Sequence, residues 1–440
     1  MKIAVLGGGT AGFISAAHIS KKFPDAELVH IFDSRIPTIG VGEGTTPRFP
    51  AWLREITGLE FNDIAEHCGA TLKKGTLFDG WGEDGVPFTN RFQPTSLIGY
   101  HFNAARVVEL IAPHVQAEYI DARVDALDSM PETAEITFED GSTRSFDYVF
   151  DARGFPRNAN SGGEDGAELI RMDWIPTGRA LLRGLPKGRL SGATRAVARA
   201  HGWVFQIPLA GSMSCGYLFN PDLNTDEEVA ADFDAFLDDE GIVDWQTRGA
   251  LDFPNFLRRS LFDGRVFWIG NAASFVEPLE ATSIGASILQ VRSAQRWIEG
   301  HDPNARPNPA ELELYNKTMR SYILCNSLFL AWHYACGSRW DTAFWRHAKQ
   351  GLERARQIPE VAQYLNQMTP FIEAGRALPG LALSSYEDEN EWQRDIYPLL
   401  KIYMPFGNFS ELNFAQVGHG IGFYEKPEGH FEAPSLAVGI

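Results

Sequence analysis

The chain has few of the features that mark nucleic-acid-binding, membrane or secreted proteins. Lysine and arginine number 39 against 57 aspartates and glutamates, which gives a formal charge of −18 at pH 7. The basic residues form no cationic block, so no nucleic-acid partner is expected. No run of about 18 apolar residues is present, and no membrane partner is predicted. The first six residues lead straight into glycines and are too short for the apolar part of a signal peptide.

Cysteine is also scarce. The four cysteines show no CxxC or other zinc-type spacing, so no metal site is predicted. Buried free thiols in a reducing cytoplasm are the simplest interpretation, and the expected location is cytoplasmic. With 44% hydrophobic and 22% charged residues over 440 positions, the composition is that of a folded globular protein.

The first strong pattern is a strand, a glycine-rich turn, a helix and a second strand. Residues 2–6 are apolar and lead into Gly7-Gly-Gly-Thr-Ala-Gly12, and the second apolar run, 27–32, ends at Asp33. An acid about 20 residues after the last glycine is typical of the ribose-binding position in dinucleotide-binding folds. The pattern therefore predicts an ADP-binding site.

Three further glycine turns follow. Gly40–Pro47 suits close approach of the backbone to a flat ring, although a flexible loop has a similar composition. Asp151–Gly154 and Arg265–Asn271 each include or follow an apolar strand. These junctions favour one nucleotide-binding α/β fold that is interrupted by insertions.

The segments between the junctions also carry secondary-structure signals. Tyr100–Ile111 is predicted to be helical, and Asp140-Gly141 is predicted to turn a β-hairpin between 135–138 and 146–150. From about residue 310 the chain is rich in aromatic residues and leucine and is predicted to be helical.

Phe275-Val-Glu-Pro-Leu-Glu-Ala-Thr-Ser-Ile-Gly285 places the carboxylate of Glu280 just before a predicted amphipathic helix. Thr282 and Ser283 fall in the first turn of that helix, where unpaired N–H groups can hold an anion. A capped helix start with a solvated glutamate is the alternative from these residues alone.

Two other segments allow a structural and a chemical interpretation. Trp203–Pro208 has bulky residues at every second position, which is typical of a strand with one apolar face. Lys73 and Lys74 lie in an otherwise uncharged setting, where one lysine can be held inside while the other reaches water. Two exposed lysines are the simpler expectation.

These motifs, in this order, resemble the flavin-dependent halogenases, the family typified by the tryptophan halogenases. The resemblance also covers residues 70–78, 270–285 and Ala331–Trp345. It implies an α/β, FAD-binding Rossmann-like fold of the GR2-type flavin monooxygenase kind over residues 1–310. Substrate-binding segments that contain a β-sheet would be inserted at about 50–100 and 155–260. A mainly helical region, 311–440, would complete the substrate pocket.

The resemblance also implies a chemistry. FAD supplied in reduced form by a separate flavin reductase, together with oxygen, would convert chloride or bromide into hypohalous acid. The acid would halogenate an indole-like aromatic molecule or a peptide. Lys73 matches the catalytic lysine, with Lys74 as the neighbouring alternative, and Glu280 matches the glutamate that can take the proton of the halogenated ring. Thr282 and Ser283 match the halide-binding positions.

The remaining family positions concern the flavin. Cofactor contacts are implied for Gly7, Gly9, Thr10, Ala11, Gly12, Asp33, Gly40, Val41, Gly42, Glu43, Gly270 and Ile284. The barrier that keeps the substrate from the flavin matches Trp203, Phe205, Ile207 and Pro208. A homodimer is the oligomeric state considered, and His101 and His333 are more simply structural histidines.

Departures from the family pattern affect substrate and halide choice. Phe205 replaces a second tryptophan, Ala281 replaces the usual serine, and Ser283 stands where many members have glycine. Only Gly82–Gly99 separates the lysine segment from Tyr100, where tryptophan halogenases carry a long insertion over the substrate. We therefore expect a larger or looser indole, phenol or peptide than free tryptophan. A flavin monooxygenase that inserts oxygen into an aromatic substrate and a non-catalytic flavin carrier stay open as alternatives.

Overall fold

The computed structural model describes residues 1–36, 42–94, 96–156, 168–186, 192–378, 394, 397–402 and 404–424. The predicted cofactor positions Gly40 and Val41 lie outside these residues. The helices are α1 (Thr10–Lys22), α2 (Arg48–Thr57), α3 (Phe61–Cys68), α4 (Ala104–Ile111), α5 (Asp226–Asp239), α6 (Ser283–Gly300), α7 (Pro309–His333), α8 (Ala343–Lys349), α9 (Gly351–Arg356), α10 (Pro359–Arg376) and α11 (Glu411–Gly420).

The strands of the described residues fall into five sheets. They are β1 (Lys2–Leu6), β2 (Glu27–Phe32), β3 (Gly42–Gly44), β4 (Thr71–Lys73), β5 (Gly75–Asp79), β6 (Phe88–Arg91), β7 (Gly99–Asn103), β8 (Glu118–Asp121), β9 (Val124–Ser129), β10 (Ala134–Phe138), β11 (Thr143–Phe146), β12 (Tyr148–Asp151), β13 (Leu169–Arg171), β14 (Arg179–Leu185), β15 (Thr194–Arg199), β16 (Gly202–Pro208), β17 (Met213–Phe219), β18 (Gln246–Asp252), β19 (Phe256–Arg258), β20 (Val266–Trp268) and β21 (Ser274–Phe275).

A five-stranded parallel sheet in the order β20-β12-β1-β2-β8 forms the nucleotide-binding half. The continuous apolar run of β1 is buried on both of its faces, as parallel strands require. Helices α1 and α6 pack side by side against this sheet through a shared apolar core. The predicted Rossmann-like α/β fold is confirmed.

A seven-stranded sheet in the order β18-β14-β17-β16-β15-β5-β6 joins strands from two separate parts of the chain. Strand β16, which holds Trp203–Pro208, lies inside it and is buried at every residue. The expectation of a strand with a single apolar face is therefore wrong. The Trp203 and Phe205 face packs into the core shared with α7, whereas Val204 packs under α5.

Two other predicted elements are corrected in part. The helix predicted over Tyr100–Ile111 begins only at Ala104, because the preceding residues form β7 between β3 and β4. Asn103 ends that strand, and its side chain caps α4 by accepting hydrogen bonds from the first-turn N–H groups. The predicted hairpin is present as β10–β11, but the apolar run after it belongs to a different strand, β12 of the parallel sheet.

The helices after residue 309 surround the C-terminal part of the core. Helix α7 begins with Pro309 at its first position and Asn308 as its cap, a combination typical of helix starts. The last two turns of α7 are almost entirely buried, which carries His333 into the molecular interior. The division of the chain at residues 310 and 311 stays a prediction.

Candidate active site

A cavity of about 1350 Å³ lies beyond the carboxyl ends of the parallel strands. Gly7, Asp33, Ala152 and Gly270 follow β1, β2, β12 and β20, respectively, and all of them line it. The crevice at this edge is where doubly wound α/β sheets bind their ligands. The structure thus brings together three of the strand-to-glycine junctions that the sequence predicts.

The glycines of the cavity allow backbone segments to touch. A Cβ atom on Gly12 would lie 2.0 Å from the carbonyl oxygen of Gly7, and one on Gly7 would lie 2.4 Å from that of Ala152. A Cβ on Gly270 would lie 2.7 Å from the Cβ of Ala11. Gly7 and Gly270 also have positive φ angles, which favour glycine. The turns therefore require glycine and leave backbone free to face a ligand.

Two acidic residues of the cavity wall, Asp33 and Glu43, have shifted pKa values. Asp33, the predicted ribose-binding acid, accepts hydrogen bonds from the Arg35 guanidinium, which holds the pKa of Asp33 below its usual range. Burial raises the pKa of Glu43 to about 7, and its Oε2 has no hydrogen-bond partner among the described residues. A partly protonated carboxyl of this kind can donate to a ligand oxygen or nitrogen.

The lining of the cavity fits FAD. The glycine turns suit the pyrophosphate of FAD, and Asp33 suits its ribose. The Oε2 of Glu43, which has no hydrogen-bond partner among the described residues, can bond to a polar group of the cofactor. Phe205, Ile207 and Ile284 supply apolar surface for a flat ring. The predicted positions Gly9, Thr10 and Ala11 also line the cavity.

The start of α6 forms part of the cavity wall. Ser283 is the first residue of α6 and has a negative φ, so serine is accommodated where a glycine is common in the family. Ala281 has a φ of 54°, the one positive φ outside glycine in the described residues. A left-handed alanine costs roughly 1–2 kcal/mol, and such strain concentrates at functional sites. Thr282 lines a neighbouring cavity of about 20 Å³ rather than the large one.

Lys73 lies behind this wall. Its side chain is fully buried at the end of β4, whereas Lys74 is only partly buried, so the expectation of two exposed lysines is wrong. The amine of Lys73 packs against Gly44, which lines the cavity. A Cβ on Gly44 would lie 3.2 Å from the Nζ of Lys73. The Nζ has no hydrogen-bond partner in the described part of the chain. Burial lowers the pKa of Lys73 from 10.5 to about 8, although the nearby charge of Glu280 opposes that shift.

His101 is a structural histidine beside Lys73. Its Nε2 lies 2.9 Å from the Oγ1 of Thr194 and its Nδ1 lies 3.1 Å from the Oγ1 of Thr71. The Thr71 hydroxyl donates to the carbonyl of Pro208. Burial lowers the pKa of His101 well below 6.5, and the charge of Lys73 makes a smaller contribution in the same direction. This imidazole is therefore neutral.

Glu280 is buried and held by three partners. It ends a short 3₁₀ segment, Pro278–Glu280, and only 4% of its surface is exposed. The Nδ2 of Asn90 donates to Oε1 at 2.8 Å, and the hydroxyl of Thr76 donates to Oε2 at 3.2 Å. The Nε2 of His333 lies 3.0 Å from Oε1. The alternative of a solvated glutamate at a helix start is therefore wrong. His333 is buried with both ring nitrogens in contact, as expected of a structural histidine, and one of its two contacts is Glu280.

A second buried carboxylate, Glu277, lies three residues earlier and was not singled out from the sequence. Thr177 donates a short hydrogen bond to Oε2, and Tyr334 donates to Oε1 at 2.6 Å. Burial raises the pKa of Glu277 to about 7, against the lowering effect of its hydrogen bonds from Thr177 and Tyr334. Adjacent residues at the end of α7, His333 and Tyr334, therefore hold the two glutamates. The Glu-Pro-Leu-Glu spacing in an apolar segment was the available signal.

The four predicted barrier residues lie in two different environments. Phe205 and Ile207 line the large cavity, whereas Trp203 and Pro208 do not. Trp203 packs with Trp81, with ring centroids 6.3 Å apart. Phe205 lies on Gly216 of the next strand, where a Cβ would approach its ring to 2.4 Å. Of the four residues, Phe205 and Ile207 are therefore the two that face the cavity.

Two structural findings concern the described residues as a whole. They contain no group of three or more histidines, cysteines, aspartates or glutamates that could hold a metal ion. None of their helices has the length and apolarity needed to cross a membrane.

Comparison with known proteins identifies the family. The tryptophan halogenase family model matches residues 2–99 and 93–378. The chain is 25% identical over 438 residues to the 7-chloro-L-tryptophan 6-halogenase KtzR of Kutzneria sp. strain 744, covering 79% of this chain and 81% of that protein.

Solved structures show the same fold. The tryptophan 6-halogenase SttH of Streptomyces toxytricini superposes with a TM-score of 0.77 at 20% identity, over 100% of this chain and 93% of that one. MibH, a lanthipeptide tryptophan 5-halogenase, gives a TM-score of 0.75 at 20% identity, over 99% and 88% of the two chains. With its fold, its glycine-lined cavity and the match of the family model, the chain belongs to the tryptophan halogenase family of flavin-dependent enzymes.

Proposed function

We propose that the protein is an FAD-dependent halogenase that uses oxygen and chloride or bromide to halogenate an electron-rich aromatic substrate through Lys73 and Glu280. The observation that carries this proposal is the position of Lys73. Its amine is fully buried, has no hydrogen-bond partner among the described residues, and lies behind Gly44 of the cavity wall, with Glu280 close enough to affect its pKa. A buried lysine without a hydrogen-bond partner, near a buried glutamate, favours a catalytic role for the two residues.

The large cavity would hold FAD, with Gly7, Gly9, Thr10, Ala11 and Gly12 at the pyrophosphate and Glu43 and Ile284 nearer the ring. Bound in reduced form, FAD would supply the electrons with which oxygen and a halide give hypohalous acid. A separate flavin reductase would deliver it. Ser283, which lines the cavity, would hold the halide there, with Thr282 beside it.

Lys73 would receive the oxidant on the far side of the wall. As an ammonium it can donate a hydrogen bond to hypohalous acid, and as a neutral amine it can accept the halogen while water leaves. With a pKa near 8, both forms of the amine are available close to neutral pH. Phe205 and Ile207 would keep the aromatic substrate out of the flavin cavity.

Glu280 would take the proton that the ring loses when halogen replaces hydrogen. Its carboxylate is fixed on both oxygens by Asn90 and Thr76, so it is already oriented when the ring proton becomes acidic. It lies outside the large cavity, on the same side of the wall as Lys73.

We further propose that the substrate is an indole, phenol or peptide larger than free tryptophan. The segment after Lys73 is short, and its Gly82 is packed against Ile421 just beyond α11, at 2.6 Å for a Cβ on Gly82. This packing leaves less chain to close over a small substrate. MibH, a lanthipeptide halogenase by its name, has the same fold.

The test is incubation of the protein with FAD, a flavin reductase, NADH and bromide over a panel of indoles, phenols and tryptophan-containing peptides. Products that carry the bromine isotope pair would support the proposal. Products heavier by a single oxygen would instead establish a monooxygenase, for which the Phe205 replacement in the wall is the motivating observation. Strong, regioselective bromination of free tryptophan would overturn the substrate assignment.

A further inference from the structure

His333 contacts two acceptors in the interior of the protein. Its Nδ1 lies 2.8 Å from the carbonyl oxygen of Phe329, one turn earlier in α7. Its Nε2 lies 3.0 Å from the Oε1 of Glu280. His333 is fully buried, so no solvent competes for either nitrogen. These two contacts therefore determine which ring nitrogens of His333 carry a proton.

The contacts fix where the protons lie. A carbonyl oxygen can only accept a hydrogen bond. Nδ1 of His333 therefore carries a proton and donates a hydrogen bond to the carbonyl oxygen of Phe329. A neutral imidazole has only one N–H, which would leave the lone pair of Nε2 directed at a carboxylate oxygen. That arrangement is repulsive, so a second proton lies between Nε2 and Glu280.

The other partners of Glu280 decide which side holds this proton. Asn90 donates to Oε1 and Thr76 donates to Oε2. Asn90 is held in this orientation because its own Oδ1 accepts from the Nδ2 of Asn413 at 3.0 Å. Donors on both oxygens stabilise the ionised carboxylate rather than the acid.

We infer that His333 is an imidazolium that forms a buried ion pair with Glu280 and acts as the positioning residue of the catalytic carboxylate. Its part in catalysis rests on the proposed halogenase function, whereas the ion pair itself does not. Such a pair is costly to bury, and the three further hydrogen bonds to Glu280 and His333 offset that cost.

The charge of the pair acts on Lys73. The neighbouring ionisable groups are Lys73 from β4, whose pKa the charge of Glu280 affects, Glu277 just before the 3₁₀ segment, and Tyr334 next to His333. The Tyr334 hydroxyl donates to Glu277. The rings of Phe78 and Phe329 cover His333 with centroids 5.1 and 4.8 Å away. An imidazolium beside Glu280 reduces the negative charge that Lys73 experiences, and so helps to keep the amine neutral.

Nitrogen NMR of the resting protein labelled with [¹⁵N]histidine tests the ion pair without any turnover. We expect both nitrogens of His333 to carry protons at pH 7.5, with the signal assigned by its loss in His333→Gln. In Glu280→Gln, the Nε2 of His333 should lose its proton. An unprotonated Nε2 in the wild-type protein would overturn the inference even if the protein halogenates.

The pH profile of turnover tests the positioning role. His333→Gln keeps a neutral N–H donor near Glu280 but removes the positive charge, so kcat should fall with KM little changed. The midpoint of its pH–rate curve should move up by about one unit, because Lys73 then faces an uncompensated carboxylate. His333→Leu, which also removes the donor, should lose more activity than His333→Gln. An unchanged midpoint in His333→Gln would contradict the role of the charge.

Discussion

The large cavity and the Lys73–Glu280 cluster differ in size and in the groups that form them. The cavity has a volume of about 1350 Å³ and is lined by glycine backbone, apolar side chains and ionisable residues such as Asp33 and Glu43. The cluster is buried and consists of polar and ionisable side chains, with Glu280 hydrogen-bonded to Asn90 and Thr76 and in contact with His333. The cavity suits a large ligand that is held through backbone groups. The cluster suits a reaction at a few atoms that is controlled by charged side chains.

The boundary between the regions is thin. Gly44 lines the cavity and also packs against the amine of Lys73. Just before α6, the consecutive residues Glu280 and Ala281 differ in whether they line the cavity. Ala281 and Ser283 line the cavity, whereas Glu280 does not. The comparison therefore predicts that variants on one side impair cofactor binding and variants on the other impair halogen transfer.

The largest expected effect is on the cavity side. Gly12→Ala should abolish FAD binding, because the new Cβ would lie 2.0 Å from the carbonyl oxygen of Gly7 and push the first turn apart. Flavin absorbance after desalting measures the effect, with circular dichroism to confirm the fold. Gly300→Ala, where a Cβ meets nothing within 4 Å, is the control. Full FAD binding by Gly12→Ala would remove this turn from the site.

Glu280→Gln should break the other side alone. The amide cannot take the ring proton, so halogenation should slow about 10²-fold, within the range for a positioned general base. FAD binding should be retained. The exposed Glu299→Gln at the end of α6 serves as the matched control. An unchanged rate in Glu280→Gln would reduce Glu280 to a structural residue of the helix start.

The pH dependence sharpens the contrast further. Because burial lowers the pKa of Lys73 to about 8, transfer through a neutral amine should accelerate as pH rises towards 8 and level off above it. At pH 7 about a tenth of the amine is neutral. Product formation from pH 6 to 9, with flavin reoxidation followed in parallel, measures this. A rate that falls over the same range would point to the ammonium form instead.

The smallest effect is expected in the wall itself. Phe205→Leu removes the ring that lies on Gly216 and should let water or substrate reach the flavin side, so halogenated product per flavin oxidised should fall a few-fold. Val204→Ala, on the opposite face of the same strand, should leave that ratio unchanged. An unchanged ratio in Phe205→Leu would mean that Phe205 is not part of the barrier.

The cofactor half could be predicted from the sequence because its signals are local. Strand, glycine turn and helix follow one another within residues 2–22, and Gly7 and Gly12 each have a steric reason. The helix predicted from Tyr100 fails over the residues of β7, because their extended state depends on pairing with β3 and β4, which lie elsewhere in the chain.

The surroundings of Glu280 could not be predicted for the same reason. Asn90 is 190 residues from Glu280 in sequence and His333 is 53 residues away. Neither residue carries a local pattern that points to a carboxylate. Only the fold brings β6, the 3₁₀ segment and the end of α7 together.

The ratio of brominated product to flavin oxidised, compared between the wild type and Lys73→Met, tests the separation of the two regions most directly. Methionine preserves the bulk of the buried side chain without its amine, and Lys74→Met controls for loss of charge in the same strand region. We expect flavin oxidation to continue in Lys73→Met while the ratio falls at least about 10²-fold. Bromination that persists in Lys73→Met, or flavin oxidation that stops with it, would contradict the account.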